Sequence, residues 1–391
     1  MTSGSPVLEK VHELIQSGKL RPGKKIPSER ALAAQFGVGR QAVQAALKEL
    51  ELAGVIERRQ NCRPTVSMLG SKRNPGSPVV ADQIGVWILP DVQDLGGNMV
   101  LQGIRQVCGS AHYRVLIGCP PSYSPEAIER AELDFLHSLS TNPRIAGAII
   151  WDSGNLACVP VYQSLLDNGF PLVFVDREPP CEITADVVSS NNRHAARSAV
   201  KFLLDLGHRR IAMVVGKERS SSVTERIEGY FNTLRGAEIE PDPSLIFEMS
   251  LLPEKDVRAA SEALLQKIAH HGNVPTAIFA VNDRIALHLL ESAKKLGIAI
   301  PDRLSLVGFD WLMRWLPSGG ELTSVAQRFD EMGGAAAQRV LDRIAHPGAQ
   351  SSRQILLDTF LVQKHSAGVP FDAPIASDTT QLLGEIYEQA H

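Results

Sequence analysis

Apolar residues recur along this chain in two different rhythms. In the first sixty-odd residues the spacing is helical. Leu32 and Phe36 lie four apart on one face. Val43, Leu47 and Leu50 form the buried stripe of a second helix near 40–53, whose other face offers Arg40, Gln41, Gln44 and Lys48. Ser28 is placed to cap the first helix, Glu29 suits its positive end, and Gly37 can take the left-handed conformation that stops it. Two short helices across a tight turn, the second basic and amide-rich on its open face, match what reading the major groove of DNA requires. Beyond Gly54, residues 55–66 read as a basic β-hairpin.

From Gln83 the rhythm changes. Short, continuous apolar runs that suit buried parallel strands alternate with amphipathic helices. Strands are expected at 84–89, 114–119, 145–151 and 172–176, then at 211–216, 245–249, 277–282 and 304–310. Helices are expected near 97–111, 125–140, 159–168, 192–206, 222–235, 255–270 and 283–296. Two runs of βα units imply two doubly wound sheets, whose strand C-termini face a crevice where ligands bind. Four strands end on Trp151-Asp152, Asp176-Arg177, Asn282-Asp283 and Asp310-Trp311. One such residue alone reads equally as a helix cap or a turn former. Four at equivalent strand ends point to a ligand site. Gly, Ser and Pro dominate residues 68–82, which read as a linker.

Charge sharpens this division. The net charge is −3, but residues 1–73 hold thirteen Lys and Arg against six Asp and Glu, giving +7, and the remainder carries −10. A basic head on an acidic body suits a nucleic-acid module on a scaffold that repels DNA. The five cysteines are dispersed and form no C-x-x-C pair, so neither a disulfide framework nor a zinc site is expected. His208, His194 and His270-His271 lack ligand spacing, and His208 is expected to be structural. No apolar leader or membrane-length run is present, so the expectation is a cytoplasmic protein with no membrane partner, no metal and no cofactor.

The head resembles the winged helix-turn-helix of the GntR family. The match rests on Lys25-Ile26-Pro27-Ser28-Glu29-Arg30, Phe36-Gly37-Val38-Gly39-Arg40, Ala46-Leu47-Lys48-Glu49-Leu50 and the following glycine. The resemblance implies operator-DNA contacts at Arg30, Arg40, Gln41, Gln44 and the wing tip Asn61 to Arg63, with Lys25 and Ser28 beside them. Gly39 departs from the usual Ser or Thr, and the wing tip lacks the usual glycines. The body resembles the LacI/GalR-type effector domain, related to periplasmic sugar-binding proteins. That likeness is carried by Gly207-His208-Arg209-Arg210-Ile211, Glu225-Arg226-Ile227-Glu228-Gly229-Tyr230, 275–283, 304–310 and 322–333. It implies an effector pocket built from Trp151, Asp176, Arg226, Asn282, Asp310 and Trp311. Carboxylate and guanidinium groups hold vicinal hydroxyls two at a time, and an aromatic ring covers a sugar's C–H face. Phe279 and Phe309 are expected in the core.

The expected fold class is a small α+β winged helix-turn-helix domain followed by a two-lobed α/β periplasmic-binding-protein-like domain, similar to arabinose-repressor-type regulators. The expected boundaries are 1–67 for the head, 68–82 for the linker, 83–365 for the body and 366–391 for a tail. Within the body, the first lobe is expected at about 83–186 and 326–347, and the second at about 187–325 and 348–365. The expected function is a sugar-controlled, homodimeric transcriptional repressor without enzymatic activity. Two other readings are a GntR-headed pyridoxal-phosphate aminotransferase-like protein and a sugar-binding protein without DNA function. The aminotransferase reading requires a Schiff-base lysine and a carboxylate partner, a constellation that is not apparent in the sequence. No nucleophile elbow, P-loop or H-E-x-x-H stands in the chain.

Overall fold

A computed structural model describes residues 24–52, 56–57, 63–66, 81–88, 95–122, 124–181, 183–217, 220–250, 257–272, 274–312, 319–347 and 351–371, together with Lys10, Val11, Leu14 and Leu20. The chain divides into two compact units, Met1–Val80 and Ala81–His391.

In the first unit, helix α1 (Glu29–Phe36) starts at Ser28, whose hydroxyl accepts the Ala31 amide. It ends at Gly37 in the left-handed region (φ 67°). Helix α2 (Arg40–Leu52) follows after two residues. Strands β1 (Ile56–Glu57) and β2 (Thr65–Val66) pair antiparallel as the base of the hairpin. Val11, Ile26, Leu32, Val43, Leu47, Leu50 and Ile56 form one buried core. This core fixes α2 by the stripe its spacing predicts and leaves the polar face outside.

The second unit contains two six-stranded sheets. In chain order the elements of its first half are β3 (Gln83–Trp87), α3 (Leu95–Ser110), β4 (Arg114–Gly118), α4 (Pro125–Thr141), β5 (Ile145–Ile150), α5 (Val159–Asp167), β6 (Leu172–Val175) and β7 (Asp186–Ser190). Next come α6 (Asn192–Asp205), β8 (Ile211–Gly216), α7 (Ser221–Gly236), β9 (Ile246–Met249), α8 (Val257–Ala269), β10 (Ala277–Ala280), α9 (Asp283–Leu296), β11 (Ser305–Asp310) and β12 (Thr323–Ala326). Helix α10 (Phe329–Ala345) and strands β13 (Gln354–Leu357) and β14 (Phe360–Val362) complete it. The first sheet runs β13-β7-β6-β5-β3-β4 and the second β14-β12-β11-β10-β8-β9. All pairings are parallel except β12 with β14.

The chain therefore crosses between lobes three times, at Asn191, at Gln327-Arg328 and at Asp358-Thr359. The Asn191 amide donates to the Leu357 carbonyl (3.0 Å), tying the first crossing to the third. Two lobe boundaries differ from those expected. Strand β7 belongs to the first sheet, so the first crossing lies after Ser190 instead of at 186/187. Strand β13 also pairs into the first sheet, although 348–365 is expected in the second lobe. The apolar pattern hides β7 because Asp186 interrupts it. That acid is buried but accepts from Arg339 Nη2 (2.9 Å), Arg343 Nε (2.6 Å) and the Arg353 amide (2.8 Å). Burial works against its charge, yet these donors hold the carboxyl below the usual range.

Helix α10, absent from the expected elements, packs on α3 across a seam of glycines. A Cβ on Gly103 would overlap the Asp330 carbonyl, and one on Gly333 would overlap the Val100 carbonyl. Only glycine permits this backbone approach. The start of the expected tail is also bound. Ser366 donates to the Leu306 carbonyl (2.5 Å) and accepts the Thr323 amide (2.8 Å). His208 Nε2 donates to the Gly368 carbonyl (2.8 Å), while its Nδ1 meets Thr276 Oγ1 (2.8 Å). Residues 372–391, including the helix expected near 380–389, lie outside the described residues, as do residues 68–80 of the expected linker.

Candidate functional site

The polar strand ends converge where the lobes face each other. Arg226, on the second turn of α7, is buried, with its guanidinium 3.7 Å above the Phe309 ring. Its Nε donates to Asn192 Oδ1 (2.9 Å) and its Nη1 to the Val281 carbonyl (2.7 Å). The same Nη1 stands 3.7 Å from Asp310 Oδ1. That oxygen also accepts from Gln327 Nε2 (2.7 Å), and Gln327 Oε1 accepts from Ser190 Oγ (2.6 Å). Among the described residues Asp310 Oδ2 accepts no hydrogen bond and is the open half of the carboxylate. Burial pushes the Asp310 carboxyl up to about 8, against the pull of Arg226. Burial likewise lowers the Arg226 guanidinium from its ordinary value, opposed by Asp310 and then Asp176.

The first lobe supplies the opposite wall. Asp176 is buried at the end of β6, close enough that its charge acts on both Arg226 and Asp310. Trp151 stacks on Phe329 (6.5 Å, 18°) and carries the Arg177 guanidinium 5.9 Å from its ring. The Glu178 amide donates to Ser221 Oγ across the cleft (2.8 Å). Asp176 (φ 69°), Asp310 (φ 104°) and Trp311 (φ 51°) all hold left-handed backbone. Such strain in non-glycine residues collects at functional positions.

Two expected residues sit differently from the rest. Asn282 caps α9, its Oδ1 accepting the Ile285 amide (2.9 Å), which leaves its amide nitrogen as the donor side. The Trp311 ring meets Phe360 edge-on (6.2 Å), beside the third crossing instead of against Arg226. Sequence reasoning missed Asn192, Ser190 and Gln327. All three flank interlobe crossings; Gln327 falls in the 322–333 stretch that carries the resemblance, but no local pattern marks any of them as a contact. Beneath Trp151, Tyr162 Oη donates between Asp152 Oδ1 (3.0 Å) and Glu132 Oε1 (3.1 Å), and Ser153 Oγ donates to Glu132. Burial pushes the Glu132 carboxyl up to about 7 and raises that of Asp152.

On the head, Arg30, Arg40, Gln41, Gln44 and Arg63 are exposed. Lys25 is exposed and bridges to Thr65 at the base of the hairpin. Glu29 Oε2 accepts from both Arg40 Nε (3.2 Å) and Gln44 Nε2 (2.8 Å), holding two side chains of α2 from α1. The Ser28 hydroxyl accepts the Ala31 amide as the cap and keeps its proton to donate, and Asn61 lies outside the described residues.

Residues 5–66 match the family described as bacterial regulatory proteins, gntR family. Residues 200–367 match the periplasmic binding protein-like domain. The chain joins a gntR-family head to a periplasmic binding protein-like body. It is 27% identical over 346 residues to the HTH-type transcriptional regulator MalR of Streptomyces coelicolor, covering 87% of this chain and 96% of MalR. It is 25% identical over 357 residues to the arabinose metabolism transcriptional repressor of Geobacillus stearothermophilus, covering 90% of this chain and 94% of that protein. The solved complex of the transcriptional regulator CelR with cellobiose shares the fold, with TM-score 0.62 and 22% identity over 88% of this chain and all of that one. In the binding protein-like body, Arg226, Asn282 and Asp310 fall within the matched segment. Among the described residues no helix is long and apolar enough to cross a membrane.

Proposed function

We propose that this chain is a cytoplasmic transcriptional repressor whose grip on operator DNA is set by a small sugar or sugar-like molecule in the interlobe cleft. The observation that carries the reading is the buried Arg226–Asp310 pair at the strand ends, with one carboxylate oxygen open and its donors anchored beside the interlobe crossings. A guanidinium and an open carboxylate are a donor and acceptor set for vicinal hydroxyls. Trp151 supplies a face for C–H groups, and Asp176 and the Asn282 amide supply further polar contacts. Arg177 beside Arg226 would accommodate an acidic sugar. Trp311 acts more remotely, through the third crossing.

In the head, Arg40, Gln41 and Gln44 read base edges from α2. Lys25, Ser28, Arg30, Asn61 and Arg63 engage the backbone and the neighbouring groove. Two-fold operators call for a homodimer, with residues 68–82 as the segment that transmits lobe closure to paired heads. The likeness to the arabinose metabolism transcriptional repressor supports repression as the output.

Thermal-shift screening of the purified protein against pentoses, hexoses and sugar acids tests the cleft, because a ligand that binds only the native state raises apparent stability. Operator retention with each positive compound tests the coupling. A set of sugars that neither shifts melting nor alters retention, on protein that binds duplex selectively, overturns the sugar reading. Absence of salt-sensitive, sequence-selective binding overturns the regulator reading. Visible absorbance of a pyridoxal Schiff base would establish the aminotransferase alternative.

A further inference from the structure

A second concave site lies outside the cleft, between α6 and α7. It is a groove of about 770 Å³, a size that suits a small metabolite. Its lining includes Arg193, Arg197, Lys201 and Arg209 against a single acid, Asp205, on a body that otherwise carries net negative charge. Residues 193, 197, 201 and 205 recur every fourth position and so share one helix face. Lys201 is neutralised by Asp205 (2.8 Å). Arg193 is held by Glu225 (2.6 Å) and Glu228 (2.7 Å). Arg197 and Arg209 are exposed and form no ion pair among the described residues. At Gly236, which is exposed, a Cβ would meet nothing within 4 Å, whereas at Gly229 one would meet the Arg193 carbonyl at 2.6 Å, so the helices touch at Gly229 and leave space at Gly236.

We propose that this groove is an anion site for a small phosphorylated metabolite, its phosphate taken by Arg197 and Arg209. Guanidinium forks match phosphate oxygens two at a time. The wall of the groove is also the start of a chain of polar contacts. Arg193 Nη1 donates to Glu225 Oε1 (2.6 Å), and Glu225 Oε2 accepts from Asn192 Nδ2 (3.1 Å). Asn192 Oδ1 then accepts from Arg226 Nε (2.9 Å). A phosphate competing for Arg193 redistributes the charge on Glu225, and with it the anchoring of the cleft arginine. The coupling, unlike the binding, rests on the cleft reading proposed above.

Isothermal titration of the full chain with glucose 6-phosphate and with pyrophosphate tests the site, with glucose and sulfate as controls. Both phosphates are expected to bind saturably. Arg197→Gln/Arg209→Gln should weaken them tenfold or more while melting as the wild type does, since both side chains are exposed. Asp310→Asn should hold phosphate affinity within threefold. Undiminished affinity in the groove variant, equal binding of sulfate, or no saturable binding by the wild type overturns the proposal. A change of more than threefold in either direction in Asp310→Asn, with the groove variant unaffected, would place the phosphate in the cleft and overturn it equally. Where a cleft sugar is found, saturating pyrophosphate should change its affinity threefold or more in the wild type and not in the groove variant. If no sugar binds, the cleft reading fails and the phosphate titration still decides the groove.

Discussion

Asp310→Asn should make the protein more stable and less responsive to its ligand. In the wild type, Oδ1 accepts from Gln327 and faces Arg226, while Oδ2 is open. An asparagine keeps an acceptor at the Oδ1 position and replaces only the open oxygen with an amide nitrogen. The Gln327 hydrogen bond survives, while the charge disappears and with it the attraction to Arg226. Burial lifts the carboxyl from its ordinary 3.8 to about 8, so folding near neutral pH requires taking up a proton. At ~1.4 kcal/mol per pH unit that gap reaches about 5 kcal/mol by pH 7.5. The side chain keeps 18% exposure, and water and local relaxation shrink such penalties, so the expected gain is about 1–3 kcal/mol. For a unit of this size that is a rise in melting temperature of about 2–5 °C.

The pH dependence of this gain gives a signature. The raised folded pKa means the native state binds the extra proton between about 4 and 8. Wild-type stability from this group is intact below 4 and declines as pH rises to 8, so the advantage of the variant should be absent at pH 4, grow through neutrality and level off above 8. Chemical denaturation across that range, together with ligand titration by thermal shift, is the assay. A variant no more stable at pH 7.5, or a gain independent of pH, refutes the electrostatic account. Unchanged ligand affinity refutes the role given to Oδ2.

Arg40→Ala should lower operator affinity by about 1–3 kcal/mol, read by fluorescence anisotropy, with little effect on melting because its pairing with Glu29 is exposed. Glu29→Gln should release Arg40 and Gln44 and tighten non-specific duplex binding several-fold at low salt, whereas unchanged binding would show that Glu29 merely orients them. Gly103→Ala should cost about 2–4 kcal/mol by forcing α3 from α10, while Gly109→Ala, on the same helix with open space around it, should be neutral or stabilising by up to about 1 kcal/mol. Equal melting of those two variants would remove the glycine seam from the argument. Glu132→Gln should flatten the stability loss that the buried acid imposes as pH rises from about 4.5 to 7; a denaturation profile parallel to wild type over that interval would contradict it.

Much of this architecture is legible without coordinates, for a physical reason. The alternating strands and helices of each lobe bury apolar runs locally, and α2 carries its stripe in plain view. What escapes detection is stabilised from far away. Strand β7 reads as polar because Asp186 depends on arginines more than 150 positions later. Strand β12 hides behind Ser324, whose hydroxyl is buried on Asp283 Oδ1 (2.6 Å). Helix α10 carries Gly333-Gly334, which reads as a breaker until α3 lies against it. At the site, Arg226 and Asp310 stand on motifs and are visible. Ser190 and Gln327 bond across 137 positions, so no local window contains the pair. The placement of Trp311 depends on Phe360, which comes from a strand the pattern does not reveal.

Gln327 stands in the passage from β12 to α10 and grips Asp310 with one end and Ser190 with the other. The atoms that would recognise a guest are thus joined directly to a strap between the halves. Detection and bending share one side chain, with no separate wire to preserve. A designer who regrafts the pocket for another compound therefore retunes the stiffness of the strap as well. Biosensors built on this scaffold should be selected for both properties at once.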